Sequence, residues 1–122
     1  MKILLAEDNE DNYEVVKSNL KKLQNIELIW ATNGKETLQK LSDGVVPDLF
    51  LIDIEMPVMN GKELIISLKN NQLYKNIPII VITASIFAEM KSSYLSIGAN
   101  DILEKPFSRS QFLELVGKYG AK

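Results

Sequence analysis

The chain has 122 residues, 46% of them hydrophobic, which is enough for one compact domain with a core of ordinary size. Its formal charge of -2 gives no basic footprint for a phosphate backbone, so direct DNA binding is not expected. With no cysteine and no histidine, disulfides, thiolate catalysis, histidine-ligated metals and serine–histidine chemistry are excluded, and any metal must take oxygen ligands. Short apolar runs rich in Ile, Leu and Val then alternate with stretches of helical period, the pattern of βα units on a parallel sheet. The first predicted strand, Lys2–Ala6, is far too short for a signal peptide or a membrane span, and no later run approaches that length. A cytoplasmic protein without membrane insertion is expected. The first helix carries Tyr13, Val16, Leu20 and Leu23 as one apolar stripe. The second strand, Ile26–Ala31, is the most peripheral by its pattern, and Asn33 with Glu36 marks the next helix start. The third strand is Asp48–Asp53, followed by Asn60 with Glu63 at a helix start; the fourth is Ile79–Thr83 and the fifth Asp101–Lys105. Ser108 with Gln111 forms a capping-box pattern before the last helix, and Gly44 and Gly98 are helix stops. No repeat or linker appears, so residues 1–122 read as a single domain with no output domain, and the Met1 start just before the first strand points to a free-standing protein.

In an open parallel α/β sheet, ligands bind outside the carboxyl ends of the strands. Those ends carry Glu7 and Asp8, Asp53, Thr83 and Ser85, and Lys105. Taken singly, each has an ordinary structural reading. Glu7, Asp8 or Asn9 could cap the following helix, a strand-ending Thr is commonly a satisfied hydroxyl, and a Lys before Pro is commonly a solvated loop charge. Two acids, a hydroxyl and a base drawn from four units form a constellation that loop composition rarely arranges. At an effective dielectric of about 20, two like charges about 4 Å apart cost on the order of 4 kcal/mol, so the carboxylates need a divalent cation and Lys105 as compensation. Few hard oxygen ligands suit Mg²⁺ with retained waters better than Zn²⁺ or a fully caged Ca²⁺.

The stretches ILLAEDN, LFLIDIEMPVMNG, PIIVITAS and GANDILEKPF, in this order, make the chain resemble the response-regulator receiver domain of two-component signalling over essentially its whole length. The resemblance implies a flavodoxin-like, doubly wound fold with a five-stranded parallel sheet and five helices. It implies that Asp53 is the phosphoacceptor, attacking the phosphorus of a phosphohistidine on a sensor histidine kinase or a histidine phosphotransfer protein. It further implies that Mg²⁺ is held directly by Asp8 and Asp53, through water by Glu7, and by the backbone carbonyl of Glu55. Thr83 would hydrogen-bond the phosphoryl group, Ala84 would offer its backbone amide, and Lys105 would pair with a phosphoryl oxygen from before a cis Lys105–Pro106 bond. Such a protein is not a turnover enzyme; it assists its own phosphorylation and dephosphorylation. Asp53, at the end of a central strand, would be aimed without reorganisation. Met56-Pro57 and Asn60-Gly61 would turn the loop away, Gly61 tolerating a conformation that a side chain would resist.

Two positions depart from the common pattern. Glu7 stands where Asp is more usual, and Ile102 stands where many receivers carry a Tyr or Phe whose rotamer is coupled to the Thr. The resemblance implies output through binding of a downstream target protein or onward relay at a surface of the fourth helix, fifth strand and fifth helix, whose apolar residues include Phe87, Met90, Tyr94, Ile102 and Phe112, several of them packed against the sheet. Phe87 and Tyr94 are the expected solvent-reaching members. The alternatives are a phosphorylation-independent scaffold receiver and a small aspartyl-phosphate phosphatase. The acidic loop EDNEDN speaks against a flavin phosphate cradle.

Overall fold

A computed structural model of the chain describes residues 1–84 and 88–120, with 88–90 in backbone only. Its elements follow in the order β1 (Lys2–Ala6), α1 (Glu10–Leu20), β2 (Glu27–Ala31), α2 (Gly34–Ser42), β3 (Leu49–Asp53), α3 (Gly61–Lys69), β4 (Ile79–Thr83), α4 (Ala88–Ser96), β5 (Asp101–Glu104) and α5 (Arg109–Gly117). All strands are parallel in the order β2-β1-β3-β4-β5, which puts β2 at an edge and β3 in the centre. Each of three predicted strands is trimmed by a residue. Asp48, for instance, stays outside the ladder and accepts the Lys2 amide on its own carboxylate at 2.8 Å.

Strand alternation sorts the core into two layers. Leu4, Ala6, Phe50, Ile52, Ile79 and Val81 pack toward α2, α3 and α4. Ile3, Leu5, Leu49, Leu51, Ile80 and Ile82 pack toward α1 and α5 with Val16, Leu20, Phe112 and Val116. β3 and β4 are buried throughout, as expected of strands covered on both faces.

The helix starts follow their sequence signals. Asn9 accepts the Asn12 amide, and both Asn60–Glu63 and Ser108–Gln111 form reciprocal capping boxes. At α2, Asn33 caps as expected, but Glu36 turns its carboxylate to the Thr32 hydroxyl at 2.7 Å. Gly44 and Gly98 have φ of 106° and 121°, the left-handed backbone a helix stop requires.

Two expectations need correction. Tyr94 does not reach solvent: it is 1% exposed in the core against α3, with the Lys62 ammonium 5.5 Å from its ring centroid. Tyr94 and Ile97 pack into the core layer, and among the described side chains of α4 Leu95 is the exposed large apolar one. Phe87 lies outside the described residues, as does the side chain of Met90. Gly61 is also needed for a different reason from the one expected. Positive φ in this loop belongs to Val58, at 69°, where the Met59 amide closes a tight turn onto the Pro57 carbonyl at 2.7 Å. Gly61 supplies space instead, since a Cβ there would stand 2.7 Å from the Asp53 carbonyl oxygen and from the Ile54 Cα.

Candidate functional site

Because β1 pairs with β2 on one side and β3 on the other, the chain reverses its winding direction between β1 and β3. The crevice outside their carboxyl ends is the ligand position of such sheets. Strand parity decides which side chains meet there. Glu7 continues the alternation of Ile3 and Leu5, Asp53 that of Leu49 and Leu51, and both therefore point to the α1/α5 side. Thr83 follows Ile79 and Val81 and comes from the opposite side. Ladder bonds hold these ends one step past the strands: the Glu7 amide donates to the Ala31 carbonyl at 2.9 Å, and the Lys105 amide to Thr83 at 2.8 Å.

The result is a dense charged cluster. Glu7, Asp8 and Asp53 each offer a carboxylate oxygen, all within 4.8 Å of one another. Lys105 places its ammonium 2.9 Å from Asp53 Oδ2 and 3.6 Å from Glu7 Oε1. The Lys105–Pro106 bond is cis, as expected. Asp53 Oδ1 accepts the Glu55 amide at 2.9 Å, so the two oxygens of this carboxylate have different partners. Glu7 and Asp53 are 1% and 4% exposed, whereas Asp8 and Ala84 are open to solvent. Asn9 takes the helix-capping task, which leaves Glu7 and Asp8 available for other chemistry.

Burial, reinforced by a hydrogen bond to Asp53 and by its charge, pushes the Glu7 carboxyl up to about 8, against the opposing pull of Asn12 and Lys105. Burial alone would lower the Lys105 ammonium, but its hydrogen bond and charge pairing with Asp53, and then Glu7, raise it above its ordinary value. One ammonium faces three carboxyl groups, of which Glu7 holds its proton below about pH 8. Oxygen-only donors, with an open side at Asp8, fit a hard divalent cation, which would displace that proton on binding.

Two residues around this site were not singled out in the sequence. Asn12 donates its side-chain amide to Glu7 Oε1 at 2.6 Å, and Trp30 donates its indole N–H to the Glu7 carbonyl at 2.7 Å. Asn12 lies one helical turn past the cap, a spacing that brings it back over the acidic loop. Nothing in the local pattern around Trp30 marks it. A cleft of about 480 Å³ opens beside the site between α1 and the segment after β5, with Val15, Val16 and Phe107 on its walls and Glu7, Ala84 and Lys105 at its end.

Residues 3–117 match the model of the response regulator receiver domain family. The chain is 30% identical over 108 residues to the chemotaxis protein CheY1 of Helicobacter pylori, covering 88% of this chain and 87% of that protein. It is 31% identical over 121 residues to the sensor histidine kinase CheAY of the same species, covering 98% of this chain but only 15% of the kinase. Among solved structures, the receiver domain of the sensor histidine kinase PA1611 of Pseudomonas aeruginosa, with a magnesium ion coordinated in its active-site cleft, superposes with a TM-score of 0.85 at 26% identity, covering 97% of this chain and 95% of that one.

Proposed function

The chain belongs to the response-regulator receiver family of two-component signalling, and we propose that it is a Mg²⁺-dependent phosphoacceptor that takes a phosphoryl group from a partner's phosphohistidine onto Asp53. The observation that carries this reading is the position of Asp53: buried at the end of the central strand, with Oδ2 on Lys105 and Oδ1 on the Glu55 amide. A carboxylate held at both oxygens on a rigid strand end is oriented before the donor arrives. Its attack on phosphorus forms the acyl phosphate, and the bond from phosphorus to the imidazole nitrogen breaks, leaving that nitrogen on the partner. Lys105 then pairs with a phosphoryl oxygen, and the Thr83 hydroxyl and the Ala84 amide donate to the others. Asp8, Asp53, Glu7 and the Glu55 carbonyl would hold Mg²⁺. When bound, the ion offsets the negative charge that gathers as the phosphoryl group approaches the carboxylates.

The cleft between α1 and Phe107 gives the donor its approach, since it leads to Glu7 and Lys105 along apolar walls. The donor is a sensor histidine kinase or a histidine phosphotransfer protein, and the output is binding to a downstream target protein or onward relay. No helix among the described residues is long and apolar enough to cross a membrane, and a cytoplasmic site of action is part of the proposal. The test is intact-mass measurement after incubation with a phosphorylated histidine donor and Mg²⁺. Wild type gains one labile phosphoryl group, and Asp53→Asn gains none while remaining folded. Uptake by the Asn variant at the wild-type rate would remove Asp53 from this role.

A further inference from the structure

The β1–α1 loop has to hold an exposed carboxylate beside two buried ones. Repulsion between Asp8 and Asp53, on the order of 4 kcal/mol for like charges about 4 Å apart at an effective dielectric of about 20, pushes Asp8 outward unless its loop is held. The loop is fixed on both sides of Asp8. After it, Asn9 caps α1, its side chain accepting the Asn12 amide at 3.0 Å and its carbonyl the Tyr13 amide at 3.1 Å. Before it, the Glu7 peptide is held through both its polar groups. Its N–H continues the β ladder onto Ala31, and its carbonyl, which has passed beyond the last strand residue, accepts the Trp30 indole N–H at 2.7 Å. The indole is itself fixed by lying flat on Tyr13, with ring centroids 4.1 Å apart and planes within 8°.

We propose that Trp30 is a positioning residue for the cation site: its indole N–H, braced by the Tyr13 ring, holds the Glu7 carbonyl so that Glu7 and Asp8 stay in ligand geometry before the ion binds. This inference rests on the metal-binding reading of the acidic cluster. A large aromatic on an edge strand often does no more than cover a helix. Here the ring, packed with Tyr13 against the α1/α5 core layer, also directs a donor at the backbone of a site residue. The preorganised loop binds the ion more tightly, because the cost of restraining it is met on folding rather than on binding.

The test compares Trp30→Phe, which keeps a ring for Tyr13 to stack on and removes the donor, with Leu20→Ala, a core truncation in α1 away from the loop. Mg²⁺ affinity is measured calorimetrically, and melting temperature separately. Trp30→Phe should bind Mg²⁺ about two- to tenfold more weakly, the worth of one hydrogen bond of this kind. Leu20→Ala should melt lower and bind Mg²⁺ as wild type does. In the wild-type protein, exchange of the single indole N–H with solvent should slow when Mg²⁺ is added, a readout that does not depend on how any variant folds. Equal Mg²⁺ affinity in Trp30→Phe and wild type, or an indole exchange rate indifferent to Mg²⁺, overturns the role of Trp30. Failure of the wild type itself to bind Mg²⁺ overturns the metal-site reading instead, and the two failures are therefore distinct.

Discussion

The Lys105 ammonium and the Asp53 carboxylate meet at 2.9 Å although 52 residues separate them in the chain. The contact follows from strand parity: both residues leave their strands toward the α1/α5 layer, and the neighbouring strand β4 holds the backbone of each end. Lys105 thereby balances part of the negative charge gathered in a buried site. Lys105→Met should destabilise the metal-free protein by about 1–3 kcal/mol, below the range for a fully buried pair because the lysine is 22% exposed. The rise in melting temperature on adding Mg²⁺ should be larger than in wild type, as the ion takes over the missing charge. A variant that melts like wild type without metal would show that the pair contributes no net stability.

Asp8 is the exposed member of the acid cluster and the one whose removal disturbs packing least. Asp8→Ala should lose the thermal response to Mg²⁺ and, by removing the negative charge beside Asp53, should melt at or above the wild-type temperature in the absence of metal. Thermal scans with and without Mg²⁺ decide this. A full Mg²⁺ response in the variant would take Asp8 out of the ligand set.

The pH dependence of the metal-free protein follows from Glu7. Its carboxyl moves from an ordinary 4.5 in the unfolded chain to about 8 in the fold. Between these values the folded state keeps a proton that the unfolded state has released. The stability this group contributes is complete below pH 4.5 and declines as pH rises through 8. Denaturant midpoints without metal should therefore be lower at pH 9 than at pH 6. Saturating Mg²⁺ should flatten the slope by displacing the proton, and Glu7→Gln should remove it. A Glu7→Gln slope equal to that of wild type would assign the pH dependence to other groups.

Much of this architecture was legible because its signals are local. Caps at Asn33, Asn60 and Ser108, stops at Gly44 and Gly98, and polar residues closing apolar runs each depend on a few neighbouring residues. The acid cluster was legible for the same reason, given that parallel strands share one carboxyl edge. Tyr94, Trp30 and Gly61 were misread or passed over because their roles are set across elements. Tyr94 is covered by α3, Trp30 reaches from an edge strand to another strand's end, and Gly61 is small on account of the Asp53 backbone. None of these contacts has a period or a spacing in the sequence.

Gly61 gives a direct test of that last contact. In Gly61→Ala the new Cβ would stand 2.7 Å from backbone atoms of Asp53 and Ile54, which cannot move aside as a side-chain tip would. The substitution should cost about 1–3 kcal/mol and slow phosphorylation of Asp53 by shifting its backbone. Gly44→Ala is the comparison, since a Cβ there meets nothing within 4 Å and only the φ of 106° is strained. It should destabilise the protein while leaving the phosphorylation rate unchanged. Equal rates in the two variants, measured at saturating Mg²⁺, would mean that the Asp53 backbone tolerates displacement.

The proposed signal output would have to work without an aromatic ring in β5, where Ile102 packs against the α2/α3/α4 core layer. Tyr94 of α4 lies fully inside the same layer, and its hydroxyl has no hydrogen-bond partner among the described residues. A buried hydroxyl left without a partner costs about 1–3 kcal/mol, and an arrangement of α4 that supplies one relieves that penalty. A phosphoryl group that draws the Thr83–Ala84 segment inward then has a helix already disposed to shift, and a small difference in contact energy moves the population. Tyr94→Phe removes the penalty from the resting state alone. The variant should be as stable as wild type or more so, and it should respond less to beryllofluoride, a phosphoryl mimic. Backbone amide spectra recorded with and without the mimic should show wild-type changes running from Ala84 to Ile102, reduced in Tyr94→Phe. Changes confined to the surroundings of Asp53 and Lys105 in the wild type would show that α4 does not transmit the signal, and an undiminished response in Tyr94→Phe would show that the tyrosine hydroxyl has no part in it.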